Sequence, residues 1–579
     1  MVAVVLAGCG VTAHKRQSEQ KMVKPHEDAV VKSVTPSLLP FPEPETAPDK
    51  TLTPDIVYSI LVAELAMQRG DPELAYSHYI YGASLSDDAR AAQQATRIAT
   101  SMRDIDRAVA AVERWVALAP NVLQARASAV MLYLQADQLE PAWNHLVALV
   151  KISEAMEHDG FMRAVTVVSR SGNQQLAVQV MRRLADAYPN EQQARYALAL
   201  VAVASKQYAI AEKEIRGLLE SYPDTTKIYI LLSNVLHSQG NVEDAKQTLE
   251  KALSDDPENR LLLTAYARIL MGSNELDLAY EQFKKIERQM PDNPDVLYTL
   301  GVLSIERRQL SDAREYLQQL IDSGQGDRAQ DAAYFMGRTY EVEDKSETAI
   351  SWYQKVSSGD YVAEARTRIA RLLALSGELD RAREMLQQLQ GAMPHLAEYL
   401  FMTEGEILQA LELHEDVLIH CGSALEKYPN SQGLLYLRAL SAAALNRLDI
   451  LEQDLSNILL KNPGHADALN ALGYTLADQT DRFQEALEYI QKALELKPDA
   501  AAILDSMGWV QYRLGNYAEA LRFLRQAMKK LPDPEIAAHL GEVLWASGER
   551  EEAGKIWKDA LEQYPENRYL LDVMQRFNP

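Results

Sequence analysis

The apolar positions of this chain repeat on two scales. Over short windows they recur at helical spacing, as in Tyr569, Leu570, Val573 and Phe577 near the C-terminus. Over longer stretches a small residue returns about every 34 positions. Ala75, Ala108, Ala142, Ala177, Ala211, Ala245, Ala279, Ala313, Ala349 and Ala382 are separated by 33, 34, 35, 34, 34, 34, 34, 36 and 33 residues. Three C-terminal units show what the period contains. They begin near Ala466, Ala501 and Pro534 and carry Leu472-Gly473, Met507-Gly508 and Leu540-Gly541 in a first helix. Ala486, Ala520 and Ala553, then Ala493, Ala527 and Ala560, follow in a second helix, and Pro498, Pro532 and Pro565 close the units. Glycine on one helix and alanine on the other remove side chain where two axes cross, and larger apolar residues fill the surrounding holes. Proline stops the second helix because it has no N–H to donate and clashes with the preceding turn.

From Asp55 onward the pattern predicts an all-α solenoid of about fifteen antiparallel hairpins, each burying surface only against its neighbours. It loosens between Met393 and Ile458, where Val417 and Leu451 take the alanine position, but Pro429 and Pro463 keep a spacing of 34. The segment from Asn567 to Phe577 is expected to cap the last unit. These small-residue positions resemble those of the tetratricopeptide repeat (TPR) family. The resemblance implies a right-handed superhelix whose first helices line a concave groove, with repeat positions 2, 5, 9, 12 and 13 pointing into it. On that reading Tyr196, Tyr298, Tyr334, Phe401 and Tyr436 form a column of groove rings, joined by Tyr474, Trp509, Tyr512 and Trp545 in the last units. Such rings offer large rigid apolar surface with polar tips, suited to peptides or partner helices. Asp467, Asp478, Asp505, Glu535 and Glu542 are expected in the same groove, with Arg513 the one basic residue among them. Family members that clamp a C-terminal carboxylate use Lys, Arg and Asn. Only Asn470 matches here, so a basic or aromatic-rich partner segment is expected instead.

Composition excludes some partners. The chain is 47% apolar and 24% charged, enough to cover a buried and a solvated face on each helix and too apolar for disorder over most of its length. With 59 Lys and Arg against 82 Asp and Glu it carries a net charge of −23, which repels phosphate backbones and anionic lipid surfaces. Nucleic acid is therefore not an expected partner. Cys9 and Cys421 are the two cysteines, too far apart in sequence and setting to suggest a disulfide.

The N-terminus reads differently. Residues 1–9 are an apolar run ending Leu6-Ala7-Gly8-Cys9, which resembles the lipobox of bacterial lipoproteins and implies lipidation at Cys9. The run is too short and lacks the basic start of a signal peptide, so translation is expected to begin upstream. Residues 10–53 carry Pro25, Pro36, Pro40, Pro42, Pro44 and Pro48 among polar residues, the composition of an extended tether. At roughly 3 Å per residue it reaches on the order of 100 Å. By the same resemblance Gly10, rather than Asp, after the lipidated cysteine implies sorting to the outer membrane. The expected organisation is thus a truncated signal (1–9), a tether (10–53) and a repeat body with its capping helix (54–579).

Catalytic constellations are near misses. His414-Glu415-Asp416-Val417-Leu418 begins like a metalloprotease helix but has no second His one turn on. Ser18 and Lys21 make an SxxK match within the tether, and no phosphate-binding glycine loop occurs. Cys421 falls where other units carry Phe283, Leu317 or Trp557, so a buried apolar thiol is expected there. No enzyme, metal or cofactor is predicted. The run Asp505-Ser506-Met507-Gly508-Trp509-Val510-Gln511-Tyr512-Arg513-Leu514-Gly515 and the stretch Asp533 to Trp545 go further. They resemble the C-terminal region of proteobacterial outer-membrane TPR lipoproteins, a group that includes the adaptor of a carboxyl-terminal processing protease. That resemblance implies a lipid-anchored, periplasm-facing scaffold that recruits an S41-type serine protease and presents peptidoglycan hydrolases to it. A scaffold for exopolysaccharide secretion would share the same sequence features.

Overall fold

The computed structural model describes residues 53–577, apart from 157, 158, 224 and 325. The predicted lipidation site Cys9 and tether lie outside the described residues. The fold is all-helical, 81% helix with no strand among the described residues. Thirty-one α-helices run from Pro54–Gln68 to Arg568–Phe577, which makes fifteen antiparallel hairpins and one terminal helix. They belong to two compact units. Eight hairpins lie before residue 325, and seven hairpins with the terminal helix lie from Gly326 on.

Local chemistry sets each turn. Between the two helices of nearly every hairpin one residue adopts a left-handed backbone: Gly70, Arg103, Asp137, Gly172, Lys206, Gly240, Asn274, Arg308, Asp344, Gly377, Glu412, Asn446, Gly515 and Gly548. At most of these the next N–H reaches back into the last turn, as from Glu275 to the Leu270 carbonyl at 2.8 Å and from Asn516 to that of Gln511 at 2.9 Å. This is the Schellman arrangement, which satisfies the orphan carbonyls of the first helix. Eight of these residues are not glycine, so the position was only partly readable from glycine spacing. Second helices end where a residue before proline turns out of the helical region, as at Tyr188 (φ −126°) and Tyr428 (φ −124°). Asn and Asp side chains open several helices, with Asn259 Oδ1 accepting from the backbone N–H of Leu261 and Leu262.

Packing follows the small-residue column. Every alanine of the ladder from Ala75 to Ala382 is buried, and Val417 and Leu451 are equally buried where they replace it. The first-helix glycines mark the tightest crossings. A β-carbon on Gly473 would sit 2.8 Å from the Ala486 carbonyl oxygen and 3.2 Å from Ile490 N. Cys421 is fully buried, and burial pushes its thiol pKa up to about 12. No helix among the described residues is long and apolar enough to cross a membrane.

Candidate functional site

In the last three hairpins the first helices Ala466–Gln479, Ala501–Arg513 and Pro534–Ser547 present equivalent positions side by side. The terminal helix Arg568–Phe577 takes the place a further first helix would occupy. Tyr474, Trp509, Glu542 and Arg576 hold one register position on the four helices, and Asn470, Asp505, Ala538 and Asp572 the position one turn earlier. Several of these residues converge on a cavity of about 820 Å³. Its walls include Tyr474, Asp478, Trp509, Tyr512, Arg513, His539, Glu542, Tyr569 and Arg576.

At the centre is an ion pair between neighbouring hairpins. His539 Nδ1 lies 2.9 and 3.1 Å from the two carboxylate oxygens of Asp505, and both residues are buried. The Trp509 indole stacks on the imidazole with centroids 4.3 Å apart, and Tyr512 lies 5.2 Å from Trp509. Burial opposes a charge on His539, but Asp505, with Glu535 and Asp478 beyond it, outweighs that and lifts its pKa to about 9. Glu535 is held well above the usual carboxyl range by burial and by the nearby carboxylates of Asp505, Asp533 and Asp478, against the opposing pull of His539. Glu542 accepts from Tyr512 Oη at 3.5 Å and from Arg576 at 2.8 Å, and Arg576 also meets Asp572 at 2.7 Å. Arg513 donates to the main-chain oxygen of Asp478 at 2.9 Å and lies over the Phe483 ring. Arg568 reaches Glu412, 156 residues earlier in the chain, at 3.0 Å.

The fold does not leave every ring of the expected groove column open to a ligand. Tyr334 is fully buried: it stacks on Tyr361 with centroids 4.4 Å apart, touches Phe335 and Tyr353, and receives a hydrogen bond from Arg368 at 3.0 Å. It is a core ring with no surface to offer a ligand. Tyr474 and Trp509 border the cavity but are themselves buried, at 3% and 7% exposed. Trp545 is half-buried against Trp557 and Phe577, outside the cavity wall. Phe401 lies beside His420 and Tyr428, and Tyr436 beside His465, each half-buried. Tyr196 and Tyr298 are half-buried on first helices of the other unit. Of the predicted residues the fold therefore brings together Tyr474, Asp478, Trp509, Tyr512, Arg513 and Glu542, with Asp505 behind His539.

The charge pattern also needs correcting. Asp505 is not a solvated groove acid but half of a buried ion pair, and Arg513 is joined at the cavity by the basic residues His539, Arg568 and Arg576. His539 sits one residue outside the expected groove positions, so periodicity passed over it. Arg576 and Tyr569 belong to a helix read only as a cap. Among the described residues no group of three or more His, Cys, Asp or Glu side chains is placed to hold a metal ion.

Stacked helical hairpins bearing a ring- and charge-lined cavity define a repeat scaffold. Comparison with known proteins gives the family. Tetratricopeptide repeat profiles match residues 465–532 and, separately, 236–286, 275–334 and 511–576. The chain is 32% identical over 546 residues to the TPR repeat-containing protein PA4667 of Pseudomonas aeruginosa, an alignment covering 93% of this chain and 89% of that protein. It belongs to the tetratricopeptide repeat proteins. Human tetratricopeptide repeat protein 7B is 23% identical over 360 residues, 62% of this chain and 39% of that protein. Among solved structures, the APC/C hetero-tetramer Cut9–Hcn1 aligns over 91% of this chain and 96% of that chain at 13% identity, with a TM-score of 0.33. Repeats of this family indicate a protein–protein interaction scaffold, a fold that is generally non-catalytic.

Proposed function

We propose that the chain is a non-enzymatic adaptor lipoprotein, anchored at Cys9 in the outer membrane and facing the periplasm. It recruits a periplasmic S41-type processing protease and presents peptidoglycan hydrolases as that protease's substrates. The observation that carries the binding half of this reading is the cavity of about 820 Å³, whose size falls within the range of ligand-binding pockets, about 300–1,000 Å³. Its aromatic and arginine-bearing walls have the composition of interface hot spots. The Leu6-Ala7-Gly8-Cys9 ending and the proline-rich stretch behind it support the anchor.

The test has two arms. Expressed with its natural signal, the chain should incorporate labelled fatty acid and fractionate with outer membranes, whereas Cys9→Ser should be released to the soluble periplasm. Unchanged membrane partitioning of Cys9→Ser would refute the anchor. The released Cys9→Ser chain, used as bait on periplasmic extract, should recover an S41-type protease together with cell-wall hydrolases. Recovery of polysaccharide synthase and porin components without the protease would replace this reading by the secretion-scaffold one.

A further inference from the structure

Most of the charges around the C-terminal cavity are already paired within the protein. His539 is held by Asp505, Arg576 by Glu542 and Asp572, and Arg568 by Glu412. Arg513 is engaged by the Asp478 carbonyl oxygen and the Phe483 ring. Two kinds of group remain. The side-chain carboxylate of Asp478 makes no ion pair within 4 Å among the described residues, although it lines the cavity. The Nε1–H of Trp509 is sealed from solvent and has no acceptor. Nε2 of His539, on the ring stacked 4.3 Å away, likewise makes no hydrogen bond among the described residues, since both contacts to Asp505 use Nδ1. Both rings are more than nine-tenths buried. A buried donor without an acceptor is costly and points to an absent partner.

We propose that this cavity receives a basic residue of a partner polypeptide, its cationic head at Asp478 and a chain carbonyl against the Nε2–H of His539, on whose ring the Trp509 indole is stacked. The reading rests on the adaptor proposal only in taking the ligand to be polypeptide. Tyr512 and Tyr569, both half-buried on the cavity wall, supply ring surface for the aliphatic stem of arginine or lysine and for cation–π contact. Of the wall carboxylates Glu542 and Asp572 are held by Arg576, so it is Asp478, left without an ion pair, that favours a cation over an acidic group at its own position. A neutral carbonyl accepts from His539 without disturbing its pairing with Asp505. The positive charge on His539, sustained by Asp505, makes its Nε2–H a strong donor.

The experiment watches the indole N–H signals of the full Cys9→Ser chain, labelled with nitrogen-15 at its six tryptophans. The Trp509 signal is assigned by its loss in Trp509→Phe. The probe is a blocked peptide of glycine, arginine, phenylalanine and glycine, and the comparison peptide carries glutamate in place of arginine. The Trp509 signal should shift saturably with the arginine peptide and respond at least tenfold more weakly to the glutamate peptide. Asp478→Asn should abolish that preference while the other five indole signals stay in place, which shows that the fold is intact. A Trp509 signal unmoved by the arginine peptide, an equal response to both peptides, or a preference that survives in Asp478→Asn would overturn the proposal. If the bait still captures its proteins while the titration fails, this inference alone falls. If it captures none while the titration succeeds, the adaptor reading falls instead.

Discussion

Replacing Gly541 by alanine tests the packing logic of the whole array, because it adds a single methyl group at one helix crossing. The added β-carbon would lie 2.7 Å from Cδ1 of Trp557 and nearer still to Nε1, where an unstrained contact needs about 3.4–4 Å. Trp557 cannot give way easily. It is fully buried, stacked against Trp545 and Phe577, and its Nε1–H donates to the Ala538 carbonyl at 3.2 Å. Overpacking of this kind costs about 1–3 kcal/mol, and loss of the indole hydrogen bond adds about 1 kcal/mol. The gain in helix propensity from glycine to alanine returns about 1 kcal/mol. The net expectation is about 1–3 kcal/mol of destabilisation, confined largely to the hairpin Pro534–Gln563 and the terminal helix because stacking energy is nearest-neighbour. Gly391 is the control. It is helical, exposed and has nothing within 4 Å of a β-carbon, so Gly391→Ala should stabilise its helix by about 0.5–1 kcal/mol. Hydrogen exchange resolved by segment reads both changes. Equal effects of the two substitutions, or loss of protection spread evenly from residue 54 to 577 in Gly541→Ala, would refute the reasoning.

Other outcomes follow from buried groups. His539, with a pKa of about 9 against 6.5 for the ordinary side chain, holds a proton that the unfolded chain releases. Its stabilising contribution is full below about pH 6.5 and is lost as pH rises through 9. Through His539 the helices Ala501–Arg513 and Pro534–Ser547 should lose protection in hydrogen exchange as pH rises from about 6.5 through 9, with a smaller slope in Asp505→Asn; Glu535, also raised, acts in the same direction starting above its ordinary value of 4.5. Asp454 is fully buried and takes two 2.7 Å hydrogen bonds from Arg438, so Asp454→Ala should cost about 3 kcal/mol by denaturant titration of the surrounding hairpin. Cys421, fully buried with its thiol pKa pushed up to about 12, should resist a thiol-specific reagent in the native protein and react at once after unfolding.

The hairpin count, the small-residue crossings and the proline-terminated second helices were legible in the chain because each depends on residues within one or two repeats. Ala75 to Ala382 pack against partners a fixed distance away, so a period in sequence becomes a period in space. What a ring or a charge faces depends on more than its repeat position, and here the tertiary structure decided. The repeat period assigns both Tyr334 and Trp509 to the groove, at different repeat positions. Tyr334, however, is enclosed because the second helix of its unit stops at Tyr353 and the chain then brings Tyr361 onto the ring. Trp509 meets an imidazole 30 residues on, whose charge is set by an aspartate 34 residues before it. Asp505 and His539 belong to successive hairpins, and only the stacking of one on the next turns two polar residues at unremarked positions into a buried ion pair. The terminal helix shows the same division: its apolar spacing predicted a cap, but its lying against the last hairpins is what makes Tyr569 and Arg576 walls of a cavity.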